Sequence, residues 1–364
     1  MHMHAASESC EGDSTELLQG RAEGHASLNL KASQPPDRSP EGLKDLASRL
    51  LDAKMECLRS TIDCIPALKQ VRYRVWPYVK HLIRWFHKSM EPVTIQPQVV
   101  KARMICDSLN HTMFLLHISQ ASSMKQLEAI SPRHSVVEAF ENNINWCRDL
   151  GLFAVPPPQR SAVAVVRDPL ERFIAGYGEI EQSTSQVDDG LYSFLHQEEE
   201  GSVERARLFM HRFFEDGVVG NENVKPQSEY LAPFSQSCSL PLDFIVRAER
   251  LQSDYHTFLE LKKCAKRDVE VETSEMESSS PDGKYTEVMS TFVNSALLQS
   301  ATGSSMAKVL ENNTFAYLRA FCWMSFADYV IFDYAMPPKC DDREMLKVLS
   351  LVRAAEDAAG RAPK

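Results

Sequence analysis

Three short runs of apolar and β-branched residues constrain this chain more than any other feature: Thr112–Ile118 (TMFLLHI), Ser161–Val166 (SAVAVV) and Leu242–Glu249 (LDFIVRAE). The first reads as a short buried strand, the second as a strand of small β-branched and apolar residues, and the third as a further strand. Helical spacing follows each one, in SSMKQLEAI, in RDPLERFIAGYGEIE and in the residues through Phe258 and Leu259. Strands alternating with helices predict an α/β fold, a parallel sheet with crossovers on both faces.

The rest of the chain arranges itself around that unit. Residues 1–40 are rich in Ser, Glu, Gly and Pro without hydrophobic periodicity and read as disordered. Residues 41–105 read as a helical extension. Leu43, Leu46, Leu50, Met55, Leu58 and Ile62 recur at helical spacing up to Pro66. Val71–Met90 (VRYRVWPYVKHLIRWFHKSM) is basic and aromatic, with Pro77 placed to kink or split it. That segment suits a helix packed on the core with a solvated basic face, and its composition is also that of a helix lying on a membrane surface. The α/β unit spans 106–340, interrupted by an acidic, Ser-rich loop at 268–283, and 341–364 form a C-terminal helix and tail. TFAYLRAFCWMSF reads as a helix and ADYVIFDY as a short extended segment.

Composition excludes some classes of function. Of the formal net charge of −10, residues 1–40 carry −3 and residues 268–283 carry −6, so the remainder is close to neutral and nothing in it points to nucleic acid. The nine cysteines form no CxxC pair and show no metal-ligand spacing, so buried free thiols are expected ahead of a disulfide framework. No apolar run approaches the about 20 residues that cross a bilayer, and MHMHAASESCEGDS has no signal-peptide core. The chain as given therefore reads as soluble, or as lacking its targeting segment.

Chemistry is expected at two strand-to-helix junctions, because helix N-termini at the carboxyl ends of parallel strands present unpaired N–H groups to anions. The first runs from Leu116 to Lys125. Ser122 and Ser123 can cap a helix or donate to a phosphate, and Lys125 sits in the first turn; there is no Walker A sequence. The second is Val165–Phe173. Arg167 leaves the strand end and Pro169 occupies a helix-starting position that needs no N–H. Arg167 can bind a phosphate bidentately, or pair with Asp168 or Glu171 to hold the turn.

VRDPLERFIAGY resembles the 3′-phosphate-binding segment of the carbohydrate sulfotransferases, which use the sulfate donor 3′-phosphoadenosine-5′-phosphosulfate (PAPS). NVKPQSEYLAPF (223–234) resembles their HxxPQ segment. DFIVRAERLQSDYHTFLE (243–260) resembles the segment after their third strand, and YLRAFCWMSFADYVIFDYAMP (317–337) their closing element. The likeness runs in order across residues 112–337. It implies a P-loop-NTPase-like sheet in a single sulfotransferase-type domain, PAPS as donor released as PAP, no metal, and a carbohydrate hydroxyl as acceptor. It further implies a Golgi lumenal setting.

Three positions depart from the family pattern. The Pro-Lys pair of the first junction is Ser119 and Gln120 here. The Ser eight residues beyond the binding Arg is Ala175, and the His opening HxxPQ is Asn223. The resemblance thus assigns donor binding to Gln120, Ser122, Ser123, Arg167 and Ala175. Catalysis falls to the Asn223 position, with Lys125 as replacement cation and His211 as replacement base; His196 and His117 are further candidates. Gln120 carries no charge, and loss of one preorganised donor typically costs about 10²–10³ in rate. Asn223 cannot serve as a general base. The alternative expectation is a catalytically inactive relative that keeps the fold and a binding or regulatory role.

Overall fold

The structure, a computed structural model, describes residues 35–59, 63–83, 98–106, 109–118, 121, 134–137, 155, 159–186, 193–215, 222–231, 241–263, 301–312, 316–340 and 342–360. The chain enters through a helical hairpin. α1 (Pro40–Leu58) begins where Ser39 Oγ accepts the Gly42 N–H at 3.0 Å and Pro40 takes the first helical position. α2 spans Cys64–Leu82. Leu43, Leu46, Ala47, Leu50 and Ala53 of α1 and Leu68, Val71, Val75 and Val79 of α2 are buried, the spacing of one apolar face on each helix.

Two proline expectations are corrected here. α1 ends at Leu58, well before Pro66, which instead lies in the first turn of α2 where a missing N–H costs nothing. Pro77 lies inside α2, yet the helix continues to Leu82, because buried Val75, Tyr78 and Val79 hold it through the missing bond. Burial of Val71, Val75, Tyr78 and Val79 also turns the apolar side of this segment into the core. No helix among the described residues is long and apolar enough to cross a membrane.

Among the described residues the sheet has five strands in the order β3-β1-β2-β4-β5: β1 Gln98–Cys106, β2 Leu109–His117, β3 His134–Val137, β4 Arg160–Val166 and β5 Leu242–Arg247. β2, β4 and β5 run parallel, as expected of an α/β fold. β1 pairs antiparallel with both β2 and β3, so the sheet is mixed and the helical reading of 41–105 gives way to a strand over its last residues. Along the parallel strands alternate residues enter two cores. Phe114, Leu116, Ala162, Ala164 and Val166 join the large one, whereas Met113, Leu115, Val163, Val165 and Val246 meet α5 (Leu251–Leu261). A bulge at Ala162/Val163 lets Asp243 accept the Ala162 N–H at 2.9 Å.

The large core is built by α3 (Pro169–Gln186), α4 (Val203–Glu215), α6 (Ala301–Glu311), α7 (Tyr317–Met324), α8 (Phe326–Ile331) and α9 (Arg343–Gly360) together with the hairpin. α1 packs on α8 and α9, and α2 on α7, where the Tyr78 and Trp323 rings stack at 4.0 Å. α8 corrects the extended reading of ADYVIFDY. Its β-branched and aromatic residues Phe326, Tyr329, Val330 and Ile331 are buried on every side, and packing overrides their strand propensity. β5 likewise stops at Arg247, and Ala248–Arg250 form a 3₁₀ turn. Disulfides join Cys57 to Cys64, across the α1–α2 connection, and Cys322 to Cys340, whereas the sequence favours free thiols and allows a disulfide framework only in part. The helix read in SSMKQLEAI and the 268–283 loop lie outside the described residues, as do residues 1–34.

Candidate functional site

The site is assembled where β4 ends and α3 begins. Asp168 caps α3. Its Oδ1 accepts the N–H groups of Leu170 and Glu171, each at 3.0 Å, and its C=O accepts from Arg172 at 2.9 Å. The donors that make a helix N-terminus attractive to anions are therefore already engaged by a carboxylate. What remains for an external anion is the guanidinium of Arg167. Its side chain is only 11% exposed, and its Nε forms a long ion pair with Glu171 Oε2 at 3.6 Å.

Two further carbonyl-end residues close the edge. Glu249 Oε1 accepts the Asp168 N–H at 2.6 Å and Oε2 accepts the Tyr334 hydroxyl at 3.0 Å. Arg247 donates to the C=O of Asp333 at 3.0 Å and lies over the Tyr334 ring at 5.2 Å. Asp333 sits at φ 57°, the left-handed region that turns its carbonyl toward Arg247. Burial pushes the Asp168 and Glu171 carboxyls up; Asp168 is held back by its backbone hydrogen bonds and Glu171 by Arg167. Tyr334 is pushed far up by burial and by Glu249.

Beneath the edge the 222–231 segment is strapped to α3 and α8. The Gln227 carboxamide pairs with the main chain of Arg167, and Asp328 of α8 accepts the N–H groups of Gln227 at 2.6 Å and Ser228 at 2.9 Å. Burial raises the Asp328 carboxyl, opposed by the hydrogen bonds from Ser228 and Gln227 and by the charge of Arg172. Arg172 donates to the Lys225 C=O and lies over the Tyr230 ring at 5.4 Å. Arg72 of α2 forms an ion pair with Glu229.

The structure brings three of the sequence-chosen residues to this region. Arg167 stands at the strand end, Ala175 lies further along α3, and Asn223 sits in the 3₁₀ turn Glu222–Val224 that packs on α3 beside Gly176. His211 lies on α4, which packs against α6 and the 193–197 turn, and His196 is exposed within that turn. Gln120, Ser122, Ser123 and Lys125 lie outside the described residues, as does Ser119; of His117 the backbone alone is described. Sequence reasoning gave no role to Gln227, Asp328, Glu249 or Tyr334. One signal was present: Asp328 is an acid in the otherwise apolar run FADYVIF, and a buried acid needs donors. No group of His, Cys, Asp and Glu among the described residues has the arrangement of a metal site. In comparisons with known proteins, no family model, no curated protein and no solved structure matches the chain.

Proposed function

We propose that this chain is a sulfotransferase-type protein that binds PAPS through Arg167 and transfers its sulfuryl group to a hydroxyl of a carbohydrate acceptor. The observation that carries the reading is a nearly buried arginine at the carboxyl end of a parallel strand, with its carboxylate neighbour held at 3.6 Å. A buried guanidinium demands a better partner than that, and a phosphate supplies one bidentately. The order of the VRDPLERF, NVKPQ, FIVRAERL and closing segments along one chain supports the same reading. PAPS supplies the sulfuryl group, whose transfer leaves PAP and releases the hydroxyl proton. Arg167 holds the 3′-phosphate and displaces its side chain from Glu171, which is 44% exposed and free to swing into solvent. The proton must go to a base other than Asn223; Lys125 is the residue proposed for the cation, and His211, proposed as base from the sequence, stands on α4 away from Arg167 and would need the acceptor to bring the proton to it.

The Cys57–Cys64 and Cys322–Cys340 bridges support maturation in an oxidising compartment, in keeping with a lumenal, Golgi-type setting. A second reading is a donor-binding protein without catalysis. It is favoured by Asn223 at the base position and by three carboxylates, Asp168, Glu171 and Glu249, around Arg167.

Calorimetric titration with PAP tests the common core of both readings. Saturable micromolar binding that disappears in Arg167→Ala is expected. A folded protein that ignores millimolar PAP, or an Arg167→Ala variant that binds it unchanged, removes the donor site. Sulfuryl transfer to a glycan panel then separates the enzyme from the silent binder.

A further inference from the structure

Both polar atoms of the Gln227 carboxamide engage one residue. Oε1 accepts the Arg167 N–H at 2.9 Å, and Nε2 donates to the Arg167 C=O at 2.7 Å. Gln227 is fully buried, and its own N–H and that of Ser228 are gripped by the two oxygens of the buried Asp328. Residues 225–230 are fixed from the other side by Arg172, through the Lys225 C=O and the Tyr230 ring. A rigid path therefore runs from α8 through Asp328 and Gln227 to the backbone of Arg167.

From this geometry we infer that Gln227 is the positioning residue of the Arg167 site, and that Asp328 holds Gln227 in place. The inference rests on the donor-site reading of Arg167. Rotation about φ and ψ at residue 167 sets the direction of its Cα–Cβ bond and hence where the guanidinium points. An amide offers one donor and one acceptor at the spacing of a main-chain N–H and C=O, so it fixes that rotation as a neighbouring strand would. Arg167 is the first residue beyond β4, where the strand ladder no longer does this. Lost register at a binding group reduces affinity without unfolding the protein.

Gln227→Glu tests the idea because the substitution keeps shape and makes the donor titratable. At pH about 8 the introduced carboxylate still accepts the Arg167 N–H but opposes its C=O, and PAP affinity is expected to fall roughly tenfold or more. Burial raises that carboxyl. On acidification toward pH about 5.5 it gains a proton, presents O–H to the C=O again, and closes the gap to wild type measured at the same pH. A purely structural role would lower the unfolding temperature and leave the affinity of the folded variant at the wild-type value. Where Gln227→Glu does not fold, Gln227→Met keeps the volume and removes both hydrogen bonds, and weaker PAP binding is again expected. Wild-type affinity in a folded Gln227 variant, with binding lost in Arg167→Ala, overturns the positioning role and leaves the donor site standing. Absence of PAP binding to the wild type removes the donor reading and this inference together.

Discussion

A side chain as small as hydrogen at position 176 lets the Asn223 carbonyl close on α3: a Cβ there would clash with that oxygen. Helix propensity alone favours Ala over Gly by about 1 kcal/mol. The neighbour here is main chain and cannot swing aside, so the clash outweighs propensity. Gly176→Ala is expected to destabilise the fold by about 1–3 kcal/mol, read from urea unfolding; a stabilised variant would mean that the close approach does not exist. At this scale the sequence revealed what was local. Arg167 and Pro169 announce a strand end and a helix start, and both take those places, while Asp168, read only as a possible partner of Arg167, turns out to cap the helix. Gln227 and Asp328 gave little away because their partners are 60 and 101 residues distant. Their burial becomes meaningful only once the chain has folded.

Among the elements, the α1–α2 hairpin depends on a short covalent loop. The Cys57–Cys64 bridge spans a sequence separation of 7 and the Cys322–Cys340 bridge one of 18. Chain-entropy arguments assign about 2–3 kcal/mol to each. Reduction should therefore lower the thermal unfolding midpoint by several degrees, and Cys57→Ser should reproduce part of that shift without reductant. An identical midpoint with and without reductant would show that the thiols are not joined. The elements also differ in how openly they are written. β4 is a continuous apolar run buried on both faces and is read directly. β1 (QVVKARMIC) mixes Lys101 and Arg103 with apolar residues, and its place comes from antiparallel pairing with β2 and β3. α8 is rich in strand formers and becomes helical because α1 and α2 pack around it and because Asp328 must face Gln227.

Among the described residues the buried carboxyls pull one way. Asp168, Glu171, Glu181 and Asp328 all have carboxyls raised by burial, while Asp37, lowered by Ser39, is exposed. A raised carboxyl binds a proton in the folded state at a pH where the unfolded chain has released it. Stability therefore increases as pH falls from neutrality toward the unfolded carboxylate range near about 4, and is lost again as pH rises through the folded values. Melting temperatures at pH about 7.5 and about 5.5 test the sign: the lower pH is expected to give the higher midpoint, and the reverse order would show that these acids are charged and well partnered in the folded protein.

The packing of α1 and α2 on α7, α8 and α9 also has a consequence for biosynthesis. A ribosome delivers the hairpin early and its packing partners last. Through most of translation the face formed by Leu46, Leu50, Val71 and Val75 lacks the cover of α7, α8 and α9. The hairpin is thus a segment of the nascent chain left partly uncovered until late, and a chain halted after Glu311 should bind an apolar dye that the full-length protein excludes. If the halted chain ignores the dye, the hairpin has found another cover before α7 emerges.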